Sequence, residues 1–164
     1  MGALVAAVAF AVLALTMFAT NDPAPADDNA KAAVPAVLSR IYAAYTLDAE
    51  EDIYDALAAA ADGPLVESLY LEKRSAQVAA DTEDGETQIL SVEVYEISPL
   101  TDAGQFRVAW RVVAKVRHAT HVHERMNLYE ADLQVAQLDG VWKLTSFRVD
   151  TATRSDELDF VGGE

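Results

Sequence analysis

His118, His121 and His123 are the only histidines of this 164-residue chain, and they fall within six consecutive positions. Imidazole nitrogens that converge on one point are the ligands that zinc and copper take. If Ala119-Thr120 is the two-residue turn of a β-hairpin, His118 faces His121, and His123 follows His121 on the same strand face. Met126, a softer donor for copper, has the other parity and lies on the opposite face. The same three imidazoles also fit a solvated hairpin tip, because no carboxylate shares their face to orient them. There is no cysteine, which excludes thiolate metal sites, iron–sulfur clusters, disulfides and a thiol nucleophile.

A second set of polar residues, Arg125, Asn127, Arg148 and Asp150, falls on a strand face that is otherwise apolar beyond Trp110 and Tyr129. Arg148 beside Asp150 predicts an ion pair, and a bulge near Ser146 would turn both outward. Trp110, Tyr129, Trp142 and Phe147 read most simply as core, since aromatic residues favour half-buried strands. The chain holds no Gly-rich phosphate loop, no G-x-S-x-G elbow and no H-E-x-x-H helix, so no cofactor is expected.

Two kinds of element must position these residues. Over residues 34–80 the apolar positions recur near every 3.6 residues, as a helix requires. Val37, Leu38, Ile41, Tyr42, Tyr45 and Leu47 mark the first helix. Asp48 followed by Glu51 is a variant capping box and predicts that a second helix begins there, carrying Ile53, Tyr54 and Leu57. Gly63-Pro64 closes it and starts a third, with Leu65, Val66, Leu69 and Tyr70 on its apolar face.

After residues 81–85 the period changes to two. Leu90, Val92 and Val94 alternate with polar neighbours, as do Phe106, Val108, Trp110 and Val112. Third and fourth strands cover about 121–137 and 141–152, joined by Asp139-Gly140, a signal for a type I′ turn. With the Ala119-Thr120 turn, Arg107 meets Asp132 and Lys115 meets Glu124, with Glu130 diagonal to Arg111. The other face then pairs Phe106 with Leu133, Val108 with Ala131 and Trp110 with Tyr129. Such cross-strand partners each contribute roughly 0.2–1 kcal/mol, and a one-residue slip would put every side chain on the wrong face. The order predicts an α+β fold, with three helices packed on a four-stranded antiparallel sheet.

Residues 2–20 contain no charged side chain, a length that spans a hydrocarbon core of about 30 Å as a helix. We read residues 1–20 as a transmembrane anchor. The alternative is a signal peptide cut after Ala24-Pro25-Ala26, but no basic residue precedes the apolar run. Lys31 is the only nearby cation, beside Asp22, Asp27 and Asp28. With so short an N-terminal side, the C-terminal domain is expected outside the cytoplasm, in a periplasm-like compartment. Residues 21–33 read as an acidic Pro/Ala tether, 34–154 as the domain and 155–164 as an acidic tail.

The formal net charge is -15, with 18 acidic and 4 basic side chains in residues 21–104 and 5 acidic against 8 basic in 105–154. The helical half would repel nucleic acid and anionic membrane surfaces. Solubility or a salty compartment accounts for such acidity, as does docking to a basic partner.

Three N-terminal helices, a long-stranded meander and the closing segment Asp139-Gly-Val-Trp-Lys-Leu-Thr-Ser-Phe147 resemble the NTF2-like superfamily, over residues 34–152. A single N-terminal anchor on such a domain is similar to the VirB8-like periplasmic subunits of secretion systems. The resemblance implies a cone-shaped, cystatin-like roll with a pocket, and no particular activity. In NTF2-like enzymes an Asp or His inside the cone acts as general acid or base. By that resemblance Asp150 or His123 would serve, with Tyr42 or Tyr45 donating a hydrogen bond. A ligand-binding cone would use Arg125, Arg148, Tyr129 and Trp110. The leading expectation is a membrane-anchored, non-catalytic accessory or assembly subunit whose partners are other subunits of a membrane complex. A small-ligand module, an isomerase- or hydrolase-like enzyme and a metal carrier at the histidines are the alternatives.

Overall fold

A computed structural model describes residues 27–82, 86–118 and 120–155. The expected membrane span, most of the tether and the tail from residue 156 lie outside the described residues. Among the described residues, no helix is long and apolar enough to cross a membrane. Three helices, α1 (Asp28–Ala44), α2 (Glu50–Ala60) and α3 (Pro64–Thr82), precede four strands: β1 (Glu86–Pro99), β2 (Gln105–Arg117), β3 (Val122–Leu138) and β4 (Val141–Ser155). The strands form one antiparallel sheet in the order β1-β2-β3-β4, with the helices on one face. The α+β architecture is the one the change of period predicts.

Two helix starts differ from expectation. α1 begins at Asp28, not near residue 34, because the Asp27 carboxylate accepts from the Asn29 and Ala30 amides and caps it. The stretch 28–33 assigned to the tether is therefore helix, and Ala30 and Val34 are fully buried by it. Pro35 sits inside α1 on its exposed side. The Asp48–Glu51 capping box does not form: α2 starts at Glu50 after Ala49, with no side-chain cap. Glu50, Glu51 and Asp52 supply negative charge to its first turn instead.

The middle hairpin has the register derived from charge. Arg107 pairs with Asp132, Lys115 with Glu124, Phe106 with Leu133, Val108 with Ala131 and Trp110 with Tyr129. At its tip the His118 amide donates to the His121 carbonyl at 2.8 Å. Asp139 and Gly140 both have positive φ, 50° and 79°, as a type I′ turn demands.

Bulges decide which side chains reach the core. In β1 the register slips at Leu90, so Ile89, Val92 and Val94 pack inward and Leu90, expected inside, is exposed. In β4 it slips at Thr145 and again at Asp150. The first slip lets both Leu144 and Phe147 face the helices and turns Arg148 out opposite Asp132. Burial of Phe106, Val108, Trp110, Ile53, Leu57 and Leu144 then closes the core between the layers. Each large apolar side chain there contributes about 1.5–3 kcal/mol.

Two backbone contacts tie the layers at the sheet ends. The Asp62 amide donates to the Leu144 carbonyl at 2.9 Å, joining the end of α2 to β4. Gly104, with φ 73°, lets the β1–β2 connection approach β3, where the Val135 amide donates to its carbonyl at 2.9 Å.

Candidate functional site

The sheet separates the candidate residues onto its two faces. On the face away from the helices, Arg107 grips Asp132 with two hydrogen bonds of 2.9 and 3.2 Å and reaches Asp150 at 3.2 Å. Arg148 also pairs with Asp132 and lies 3.7 Å from Asp150. The two guanidinium groups hold the Asp132 carboxyl below the usual carboxylate range. Arg111 and Glu93 form a second ion pair on this face, at 2.5 Å.

This placement bears out the ion pair and the outward turn at a bulge near Ser146, and corrects the uses a cone would make of Asp150 as acid or base and of Arg148 with Arg125 as ligand groups. Asp150 and Arg148 do not enter the interior between helices and sheet. The bulge beside Ser146 turns Arg148 outward, and the bulged Asp150 extends into the ion-pair lattice. Asp150 therefore lies outside the space between helices and sheet, where an acid or base in a cone would act. Arg125 and Arg148 stand on opposite faces and cannot share a ligand.

Aromatic packing fills the helix-facing side at Trp110. Its indole is 1% exposed, stacks on Tyr129 at 5.2 Å between ring centroids, and meets Phe147 at 6.2 Å. The indole N–H donates to the Tyr42 hydroxyl at 3.0 Å. Tyr42 meets Tyr45 edge-on at 5.9 Å, and the Tyr45 hydroxyl donates to the Leu69 carbonyl at 3.3 Å. Burial pushes the Tyr42, Tyr45 and Tyr129 phenols well above their ordinary value, and the nearby Glu72 carboxylate adds to each. Partial desolvation raises Glu72 itself. The phenols thus remain protonated hydrogen-bond donors at neutral pH.

Glu72 was not singled out from the sequence, although the signal was present. It lies seven residues after Leu65 and three after Leu69, a helical spacing that brings it beside the apolar stripe of α3 while it stays exposed itself. Further along β3 the Arg125 side chain enters the same side, opposite Ala114, and its Nε is buried without a hydrogen-bond partner. Asn127 hydrogen-bonds the Tyr129 phenol. Trp110, Tyr129, Arg125 and Tyr42 are therefore brought to one side of the sheet, and Arg148 is not.

The third cluster is the β2–β3 tip. His118, His121 and His123 come together as the hairpin register requires, with ring centroids 4.9–5.4 Å apart. One ligand nitrogen from each lies within 4.8 Å of the others. His118 and His123 are half-buried and His121 is exposed. His123 sits at the hairpin end of its strand face rather than against the aromatic core, which removes it from the place an interior base would occupy.

No family model matches the chain, and no curated protein matches it. Among solved structures, it is similar to the crystal structure of the intermembrane space region of chloroplast protein ARC6. That likeness has a TM-score of 0.46 at 14% sequence identity, and covers 76% of this chain and 98% of that one. At such identity the likeness is one of fold alone.

Proposed function

We propose that this chain is a membrane-anchored, extracytoplasmic NTF2-like domain that works without catalysis, as an accessory or assembly subunit of a membrane complex. The observation that carries the reading is the placement of the Trp110 indole. It occupies the space between helices and sheet where such a domain would hold a substrate, wedged by Tyr129, Phe147 and Tyr42. The candidate acid, Asp150, is on the far face and bound to two arginines. Among the described residues the sheet is covered on one side only, and its charged, patterned open face offers a partner a broad surface. Residues 2–20 supply the anchor in this reading, and they are apolar throughout.

The test is gentle solubilisation of native membranes, isolation of the full chain, and mass spectrometry of its N-terminus and co-purifying proteins. An intact N-terminus with stoichiometric membrane partners is expected. A chain that starts near Asp27 and is monomeric without partners overturns the proposal.

One observation favours a second reading, a small anionic ligand held on the helix-facing side. The Arg125 guanidinium has a buried Nε with no partner beside the Tyr129 phenol, and a carboxylate or phosphate would complete it. Thermal stabilisation by small carboxylates or phosphate that disappears in Arg125→Ala would support it. Equal response of both proteins would end it.

A further inference from the structure

We infer that the β2–β3 tip is a three-histidine site for a borderline divalent transition metal, Zn2+ or Cu2+. Three observations converge on it. The first is geometric: His118, His121 and His123 each offer one nitrogen within 4.8 Å of the other two. Metal–nitrogen bonds of about 2.0–2.1 Å place tetrahedral ligands about 3.4 Å apart. Closing from 4.8 Å is a matter of side-chain rotation, because the three residues already share one end of the hairpin. The rings are stacked, His118 and His123 at 15° and His121 and His123 at 19°, so binding must also turn them until their in-plane lone pairs meet at one point.

The second observation is an orphaned atom. His123 Nδ1 is buried and has no hydrogen-bond partner. A polar atom in that state costs stability unless something completes it. A metal bonded to His123 is such a partner, and a lone pair on Nδ1 is what it would need.

The third is orientation. His121 Nδ1 and Thr120 Oγ1 are 3.1 Å apart. When Nδ1–H donates to that hydroxyl, the free lone pair of His121 is on Nε2, and the ring orientation is held from outside the metal shell. The turn is closed by the hydrogen bond between the His118 amide and the His121 carbonyl. His118 and His121 are thereby held opposite one another, and His123 is in the paired part of β3. Imidazole is a ligand that suits zinc and copper, whereas magnesium and calcium prefer oxygen. His121 is exposed, so the fourth position faces solvent and would hold water or a group from a partner.

The site differs from the interaction surface proposed above, and neither depends on the other. The experiment uses the full chain in mild detergent, purified without a polyhistidine tag and stripped with a chelator. ZnCl2 and CuCl2 are titrated by calorimetry, and the Cu2+ adduct is read by electron paramagnetic resonance for nitrogen hyperfine structure. One equivalent should bind with a dissociation constant of about 1 µM or below. His121→Ala, which removes an exposed side chain, should weaken binding at least about tenfold, and His123→Ala likewise. Lys115→Gln, on the other face of the same hairpin, should bind as the parent does. Circular dichroism establishes that each variant is folded, and Cu2+ binding by a folded His121→Ala keeps the test independent of His123, whose side chain is half-buried. Nitrogen ligation that vanishes in the triple alanine variant is the supporting result. Absent binding, or binding unchanged in His121→Ala and carried by oxygen ligands, overturns the inference.

Discussion

The Trp110 indole nitrogen and the Tyr42 hydroxyl are 68 positions apart in the chain and 3.0 Å apart in the fold. This bond joins α1 to the middle of β2 through a fully buried aromatic residue of the sheet. An indole N–H so buried needs an acceptor, and Tyr42 is placed by the periodicity of α1 to be one.

Trp110→Ala should cost about 3–5 kcal/mol of unfolding free energy, because it empties the contact with Tyr129, Phe147 and Tyr42 together. Tyr42→Phe should cost about 1 kcal/mol, the value of a hydrogen bond whose donor is left buried. Urea unfolding of the full chain in mild detergent measures both. A loss below about 1 kcal/mol for Trp110→Ala would mean that the residue is not the wedge described.

The two aspartates that precede helices should behave differently. Asp27 caps α1 with two hydrogen bonds, so Asp27→Ala should lose about 0.5–2 kcal/mol. Asp48 forms no cap on α2, and Asp48→Ala should stay within about 0.5 kcal/mol of the parent. Thermal melts of the pair decide it.

At Gly104 an added Cβ would lie 2.5 Å from the Val135 carbonyl oxygen, and the φ of 73° is strained for any L side chain. Gly104→Ala should destabilise the domain by about 1–3 kcal/mol. By contrast, Gly63→Ala meets no atom within 4 Å and carries only the strain of its φ of 52°. The difference between the two unfolding midpoints isolates the clash.

Acid should weaken the open-face lattice through Asp132. Its folded pKa lies below the unfolded value because Arg107 and Arg148 hydrogen-bond the carboxylate. A depressed pKa contributes stability that is present above the unfolded value, about 3.9, and lost as pH falls through the folded value. Asp132→Asn should therefore melt less steeply with acid than the parent below about pH 4, and the difference should shrink in high salt.

Glu72 should act in the opposite sense. Desolvation raises its folded pKa, so its favourable contribution is whole below the unfolded value, about 4.3, and is lost as pH rises through the folded value. Glu72→Gln should melt higher than the parent at pH 7, and the two should converge below about pH 4. Equal melting temperatures at pH 7 would show that the carboxylate is solvated.

Local rules carried a large part of the fold. The shift from a 3.6-residue to a two-residue period separates helices from strands, and Asp139-Gly140 sets its turn by the φ values those residues accept. Opposite charges at 107 and 132, and at 115 and 124, select one hairpin register, since a one-residue slip separates both pairs and sends every side chain to the other face. The same register brings His118 opposite His121. These are relations between neighbours in the chain or across one turn, and residue type alone is enough to read them.

Other features depended on contacts that no local pattern encodes. The bulges at Leu90, Thr145 and Asp150 exist because the sheet must twist while keeping Ile89, Leu144 and Phe147 against the helices. They moved Leu90 to solvent and placed Arg148 and Asp150 in an exterior lattice. α1 runs back to Asp28 because Ala30 and Val34 find a core to bury in, despite Pro35. The Asp48 cap fails although its sequence pattern is sound. Glu72 became notable only when α3 set it beside three phenols from α1 and β3. Period and charge pairing are properties of short segments, whereas burial, a bulge's position and the company a side chain keeps belong to the packed whole.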